Sequence, residues 1–343
     1  MKKIKEKLLF VLIASCIIVI SISITGCNDD GNSGYDGTGL EPSKLWNGSF
    51  NINRYNLKDV DSLVNFYEGG YNEISGGIRI VKIDSLEVDI IGMLINLQKI
   101  NGNFNIIDAC SRTNFKGLEK LQEIGGDLII EDCPSLLNLE GLENLQKADK
   151  IELYNNPKLS SLNGLNGVNE IGEGGLSIKY CPIKNFEGLD NLTKIAGWLD
   201  IYKTNITNLK GMPLLEELSF VYIFYTTIKN LEGFESVKTI SGTLGLKFNN
   251  SLVNLVGLTE PAINSFDIDY NDSLTSLKGI EGVLTTGDST SGAMNSFVDN
   301  PLLDDFSAMS DAFIQGISHR YWSCSGNKYN PTMEDMLAGR KTP

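Results

Sequence analysis

Phe186-Glu-Gly-Leu-Asp-Asn-Leu192, followed after two residues by Ile195-Ala-Gly-Trp-Leu-Asp-Ile201, is the stretch that decides the fold. The same text recurs on both sides of it. Phe115-Lys-Gly-Leu-Glu-Lys-Leu121 leads into Ile124-Gly-Gly-Asp-Leu-Ile-Ile130, Leu139-Glu-Gly-Leu-Glu-Asn-Leu145 into Ile151-Glu-Leu153, and Leu231-Glu-Gly-Phe234 into Ile240-Ser-Gly-Thr-Leu-Gly-Leu246. Aligned on one glycine, Gly117, Gly141, Gly164, Gly188, Gly211, Gly233, Gly257 and Gly279 stand 22 to 24 residues apart. A fixed period of this length marks a solenoid, because one such unit cannot bury its apolar face alone and stacked units can.

Within each unit two apolar residues alternate with polar ones: Leu128/Ile130, Ile151/Leu153, Leu176/Ile178, Leu199/Ile201, Val221/Ile223, Leu244/Leu246 and Phe266/Ile268. That period of two predicts a strand with one buried face. Three residues after the second apolar position comes Cys133, Asn156, Cys181, Thr204, Thr226, Asn249 or Asn271. A small polar side chain pointing inward there can bond the backbone at the bend, coil after coil. Cys133 and Cys181 are two coils apart in this slot, about 10 Å at the spacing of stacked strands, so they are expected as buried thiols standing in for Asn. Cys110 lies one residue off the slot, near enough for a pairing with Cys133 to stay open.

The Leu-x-Leu-x-x-Asn/Cys-x-x-Leu text is similar to the leucine-rich repeat. The Ile-x-Gly-x-Leu-x-Ile strand after Leu-x-Gly-Leu-x-x-Leu resembles more closely the receptor L domain of the insulin and epidermal growth factor receptors. The resemblance covers about residues 57–284 and implies a right-handed parallel β-helix of short coils with an N-terminal capping helix. Asp59 to Tyr67 fits that helix, with Leu63, Val64 and Phe66 on its apolar side and Asp59 as N-cap. The chain departs from those domains in having few cysteines. After Val283 the pattern changes. Leu284 to Asn295 reads as a loop or insertion, Phe297 to Leu302 restores a coil, Arg320 to Cys324 reads as a last strand, and Thr332 to Leu337 as a short closing helix.

The N-terminus reads as an address. Four lysines lie within the first seven residues, Leu8 to Ile24 is almost wholly apolar, and Thr25-Gly26-Cys27 follows. A basic start, an apolar run and small residues before a break make a secretory signal. With Cys27 directly behind, it resembles a bacterial lipobox, which implies cleavage before Cys27 and acylation of that residue. An uncleaved membrane anchor is the alternative reading of the apolar run. Asn28-Asp29-Asp30 resembles the surface-export signal of Bacteroidota lipoproteins, as the Tyr329 to Met336 tail resembles those of gut members of that group. The expected organisation is therefore a lipoprotein signal peptide over 1–26, a flexible tether over 27–48, and a solenoid over 49–343. Its repeats span about 72–284, with C-terminal coils and cap over 285–343. The implied location is the outer membrane, lipid-anchored and exposed at the cell surface.

Composition bounds the chemistry. Among 343 residues, 29 Lys+Arg face 43 Asp+Glu, a formal net charge of −14. Nucleic acid and anionic lipid are poor partners for such a surface, so contact with the membrane is expected only through the lipid on Cys27. The single histidine, His319, removes most histidine-based catalysis and metal binding. No GxSxG, HExxH or P-loop occurs, and no catalytic residue, metal ligand or cofactor is assigned. Asp267-Ile-Asp269-Tyr-Asn271-Asp272 lacks the glycine and glutamate that a calcium loop requires at its sixth and twelfth positions.

Aromatic residues stand out instead. The alternation turns outward Ile129/Glu131, Glu152/Tyr154, Ser177/Lys179, Asp200/Tyr202, Tyr222/Phe224, Gly245/Lys247 and Asp267/Asp269, with Trp198 and Phe220 one step earlier on the same face. Trp198, Tyr202, Phe220, Tyr222 and Phe224, with Tyr154 nearby, are the candidate ligand-binding residues, unless a loop or the C-terminal segment folds over them. The expectation is a non-catalytic binding protein that takes a glycan or a protein partner through this face. The alternative is a carbohydrate-active enzyme, or an accessory to one, on a β-helix scaffold. For the anchor, Cys27→Ala is expected to leave an uncut precursor or to release the protein from the membrane fraction. Unchanged palmitate labelling of that variant would contradict the assignment.

Overall fold

Parallel strands pair one above the next from Leu45 to Ser325 and make a β-solenoid of about 10 turns. The computed structural model describes residues 43–53, 58–82, 90–109, 111–285, 294–317 and 321–343. Cys27, the signal peptide, most of the tether span, Cys110 and His319 lie outside the described residues. Leu45–Trp46, inside the span read as tether, already pairs with Glu73–Ile74.

Two ladders run along the axis. One stacks Phe50–Asn53, Ile78–Val81, Phe104–Ile107 and Asp127–Glu131. The other stacks the two-residue strands Leu45–Trp46, Glu73–Ile74, Lys99–Ile100 and Glu123–Ile124. From Lys147–Tyr154 to Ala262–Asp269 the two merge into single long strands, with a register break at the corner, and they part again as Leu284–Thr285 and Met294–Val298. Glycines crowd that corner because the chains touch there: a Cβ on Gly197 would stand 2.1 Å from the Glu173 carbonyl oxygen.

The alternation places the core as expected. Leu128, Ile151, Leu176, Leu199, Val221, Leu244 and Phe266 form one inward column, each fully buried, and Leu176, Leu199 and Val221 are register partners. The Leu-x-Gly-Leu-x-x-Leu half supplies the facing wall, as with Leu162, Leu165 and Val168. Its glycine carries the period for a structural reason. Gly164 has φ +110°, and a Cβ there would sit 1.9 Å from the Leu139 carbonyl oxygen of the preceding coil. No other residue satisfies both demands. The residue two on often accepts a bond from the glycine N–H, Glu143 from Gly141 at 2.9 Å and Asn166 from Gly164 at 3.2 Å.

At the end of each strand one residue turns left-handed. Asp132, Asn155, Tyr180, Lys203, Tyr225, Phe248, Tyr270 and Asp299 have φ between 51° and 57°. Their N–H groups donate to the next coil, as from Tyr180 to the Tyr202 carbonyl at 3.0 Å and from Tyr270 to that of Val298 at 2.9 Å. The turn swings the following residue inside, into the polar slot. Asn271 shows the pattern. Its Oδ1 accepts from Asn249 N at 3.0 Å, and its Nδ2 donates to the Leu246 carbonyl at 2.9 Å. Asn300 and Asn327 continue the ladder past the insertion. Cys181 takes the same slot as a free thiol, and burial pushes it up to about 11, so it stays protonated and donates to carbonyls. Cys133 is buried in the slot one coil before Asn156, whose Oδ1 accepts from its N–H at 2.9 Å.

The helix Lys58–Glu68 buries Val60, Leu63, Val64 and Phe66, the last against Phe50 and Trp46 at the first coil. It starts one residue earlier than expected, so Asp59 is not the N-cap. It lies in the first turn and accepts from Asn51 N at 2.8 Å. At the other end the expected strand and helix are present as Tyr321–Ser325 and Met333–Leu337. Trp322 Nε1 donates to the Pro331 carbonyl at 2.9 Å, and Thr332 with Asp335 forms a capping box. A helix not expected from sequence, Asp311–Ile317, packs Phe313 on Phe266 at 5.5 Å. Among the described residues no helix is long and apolar enough to cross a membrane.

The ladder predicts a graded response. Asn271→Ala strands a buried N–H and a buried carbonyl and is expected to cost about 2–4 kcal/mol. Asn271→Thr keeps an oxygen in the slot, as Thr204 and Thr226 do in other coils, and should cost less. Urea unfolding midpoints of the two variants check the order.

Candidate functional site

The strands Lys194–Tyr202 and Glu217–Phe224 carry the candidate residues side by side. Trp198 pairs in register with Phe220, Asp200 with Tyr222, and Tyr202 with Phe224. Trp198 is the most open of them, 57% exposed, while Phe220, Tyr222 and Phe224 are half-buried. Phe220 and Tyr222 stack at 6.3 Å with planes 10° apart, and Tyr222 meets Phe224 at 5.8 Å. These rings lie over glycines of the next coil. A Cβ on Gly242 would fall 2.3 Å from Phe220 Cε1, and one on Gly245 would fall 2.7 Å from Tyr222 Cδ1. The glycines therefore give the rings a floor on which to lie flat.

The structure divides the expected set in two. Trp198, Phe220, Tyr222 and Phe224 share the strand face, whereas Tyr154 and Tyr202 belong to a second row at the strand ends. There Tyr180 bridges them, at 5.6 Å from Tyr154 and 5.4 Å from Tyr202, and the row continues through Tyr225, Phe248 and Tyr270. The strand alternation does not generate these four added residues, since they occupy the left-handed turn. A readable signal did exist: each directly precedes an inward-slot residue, as in Tyr180-Cys181 and Phe248-Asn249. Lys203 extends its ammonium over the rings of Tyr180, Tyr202 and Tyr225, at 5.3, 5.4 and 5.8 Å.

Ion pairs flank the aromatic zone. Lys179 meets Asp200 at 2.6 Å. On the far side Lys247 meets Asp267 at 2.7 Å and Asp269 at 3.0 Å. Ser177 and Asp269, both expected to face outward, are buried. Ser177 is small and stands in register between Glu152 and Asp200. Asp269 is closed over by the following coil, accepting from Ser296 Oγ at 2.8 Å and Val298 N at 2.9 Å. Burial, and then the hydrogen-bonded Asp269 carboxylate, raise Asp267 to about 6. Burial opposes ionisation of Asp269 as well, but bonds from Asp267, Ser296, Lys247 and the Val298 N–H outweigh it and hold it low. Below about pH 6 one carboxyl and one carboxylate thus share a lysine. Two shallow depressions, of 260 and 150 Å³, lie instead on the other ladder around Glu123, Lys147 and Lys99. Among the described residues no cluster of His, Cys, Asp and Glu could hold a metal ion.

No protein-family model and no curated protein matches the chain. The class that the fold defines is a parallel β-solenoid.

The raised Asp267 has a stability consequence of definite sign. Its folded form holds a proton more tightly than its unfolded form, so ionisation opposes folding as pH rises from about 4 to about 6. Above that window the penalty is complete. Asp267→Asn removes it, and the gain in melting temperature over the wild type should be larger at pH 8 than at pH 4. Thermal melts at both pH values check the difference.

Proposed function

We propose that this protein is a non-catalytic, surface-anchored lipoprotein that binds a glycan or a protein partner through the outward aromatic face of its solenoid. The observation that carries the reading is the Trp198–Phe220–Tyr222–Phe224 group. Phe220, Tyr222 and Phe224 lie outside the core over glycines of the next coil, and Trp198, in register with Phe220, is 57% exposed. Rigid aromatic side chains give large contact area at small entropic cost, which is why a few of them can carry most of an affinity. The net charge of −14 makes a polyanion an unfavourable ligand. The finer fold type belongs to the same proposal: leucine-rich-repeat-like coils of receptor L-domain type, wound right-handed, with Lys58–Glu68 as N-terminal cap. So does the address, an outer-membrane lipoprotein held by acylated Cys27 and a tether.

One observation favours the second reading, a carbohydrate-active enzyme. Asp267 and Asp269 are neighbouring carboxyls with their proton affinities pushed apart, the pattern of an acid and a base. Both are engaged by Lys247, however, and Asp269 is 5% exposed, so substrate access to the pair is poor.

Screening the full chain on a glycan array and a protein array tests the first reading. Replacing Trp198, Tyr202 and Tyr222 together by Ala is expected to lower the affinity of any hit at least tenfold with the melting temperature nearly unchanged. Added salt should change affinity little. Undiminished binding by the triple variant would refute it. Release of reducing ends from a bound glycan, lost in Asp267→Asn, would favour the enzyme.

A further inference from the structure

The strand-end rings form a surface of their own. Tyr154, Tyr180, Tyr202, Tyr225, Phe248 and Tyr270 supply one ring per coil over six consecutive coils. Successive centroids lie 5.6, 5.4, 5.3, 4.5 and 4.7 Å apart. At the usual spacing of stacked strands the row is about 24 Å long, and it is one ring wide.

The turn does not ask for aromatic residues. Tyr180, Tyr225, Phe248 and Tyr270 hold φ of 55–57°, a region that costs a bulky residue of order 1–3 kcal/mol. Other coils make the same turn with Asp132, Asn155 and Asp299, which adopt it more easily. Nor does the core ask for them, since Tyr180, Tyr225 and Tyr270 are 39–44% exposed. Ring stacking returns part of the backbone cost but does not explain the phenols. Among the described residues the hydroxyls of Tyr154, Tyr180, Tyr202, Tyr225 and Tyr270 make no hydrogen bond within the protein.

We infer that this row is a binding track for a neutral, extended polysaccharide lying along the solenoid axis. The inference rests on the binding reading above and names the ligand class. Four features select that class. The surface repeats the same chemistry at every coil, so it fits a ligand that repeats, which a protein edge does not do in step. Tyr225, Phe248 and Tyr270 stack nearly parallel and cover one another's faces, so the row presents ring edges and, on its tyrosines, phenols that offer a donor and an acceptor to sugar hydroxyls. The row is linear and long enough for several sugar units. It ends at Asp132 and Asp299 in the same turn position; Lys203 already lies over three of its rings, and Lys179, in register with Tyr154 and Tyr202, is paired with Asp200. A polyanion is therefore repelled and a neutral chain is not.

Affinity electrophoresis of the full chain in detergent tests this, with glucomannan, xyloglucan or mixed-linkage β-glucan in the gel and polygalacturonate as the acidic control. Retardation is expected with at least one neutral polymer and none with polygalacturonate. A hexasaccharide of the retarding polymer should bind at least tenfold more tightly than its trisaccharide. Tyr180→Asn, Tyr225→Asn and Phe248→Asn together keep residues at ease in the turn and should weaken binding at least tenfold. Tyr225→Asn alone, the milder change should the triple variant misfold, should weaken it at least threefold. Unchanged migration with all three neutral polymers overturns the inference, as does wild-type affinity in Tyr225→Asn or the folded triple variant. The two readings separate cleanly. If Trp198→Ala with Tyr222→Ala abolishes binding while the row variants bind normally, the strand face is the site and the track is not. If a protein ligand binds and no polysaccharide does, the track fails and the strand face stands.

Discussion

The amide ladder inside the bend is the interaction on which the solenoid depends. A parallel coil must turn sharply after each strand, and a sharp turn leaves backbone groups facing the core. Unpaired, each would cost as much as a lost buried hydrogen bond or more. Asn249, Asn271, Asn300 and Asn327 answer this with one side chain per coil. The oxygen takes the N–H of the coil before, and the amide nitrogen fills a strand-end carbonyl. The left-handed residue ahead of each makes the arrangement possible by swinging the slot inward, and its own N–H extends the ladder to the next coil. Cys181 and Thr226, each bonded to a neighbouring Asn, and Thr204, which is not, show that the slot tolerates other small side chains.

In most coils the slot residue is hydrogen-bonded, Thr204 being an exception with its buried hydroxyl unpaired, and the exterior is free to vary. Outward strand positions and the left-handed turn project side chains that the core does not constrain. Ion pairs occupy some of this surface, as between Lys179 and Asp200. From Trp198 to Tyr270 aromatic rings occupy it, in a strand-face group and a strand-end row. Exposed rings in such number contribute little to a core that is already closed, which is what the proposed binding role is built on.

The repeat was legible because its markers are physically irreplaceable. From Gly141 onward, Gly164 and its equivalents need both a positive φ and the absence of a Cβ against the previous coil, while Gly117 needs only the positive φ, so they recur at fixed spacing whatever surrounds them. The inward alternation was legible for a similar reason, as Leu128, Ile151 and Leu199 must all be apolar. Half of the aromatic surface was legible too, since Trp198 and Tyr222 follow from the strand period. Tyr180, Tyr225, Phe248 and Tyr270 were not, because they sit where the period of two has ended and a polar turn residue is the ordinary choice. Asp59 was misplaced by one residue at a helix start, where local signals are weakest.

The amino-acid sequence by itself determined the coil length, the inward columns and the polar slot, because stacked identical geometry forces the same residue types to recur. Only the tertiary structure decided which outward residues meet. Asp269 is buried because Ser296 and the Val298 N–H close over it across a step of 29 residues rather than 22 to 24. Tyr202 stands in register with Phe224, yet its ring meets Tyr180 and Tyr225, the turn residues of the coils on either side. Lateral neighbours on a solenoid are set by how coils stack in space, and stacking brings turn residues such as Tyr180 and Tyr225 against the strand residue Tyr202, positions that the repeat does not align.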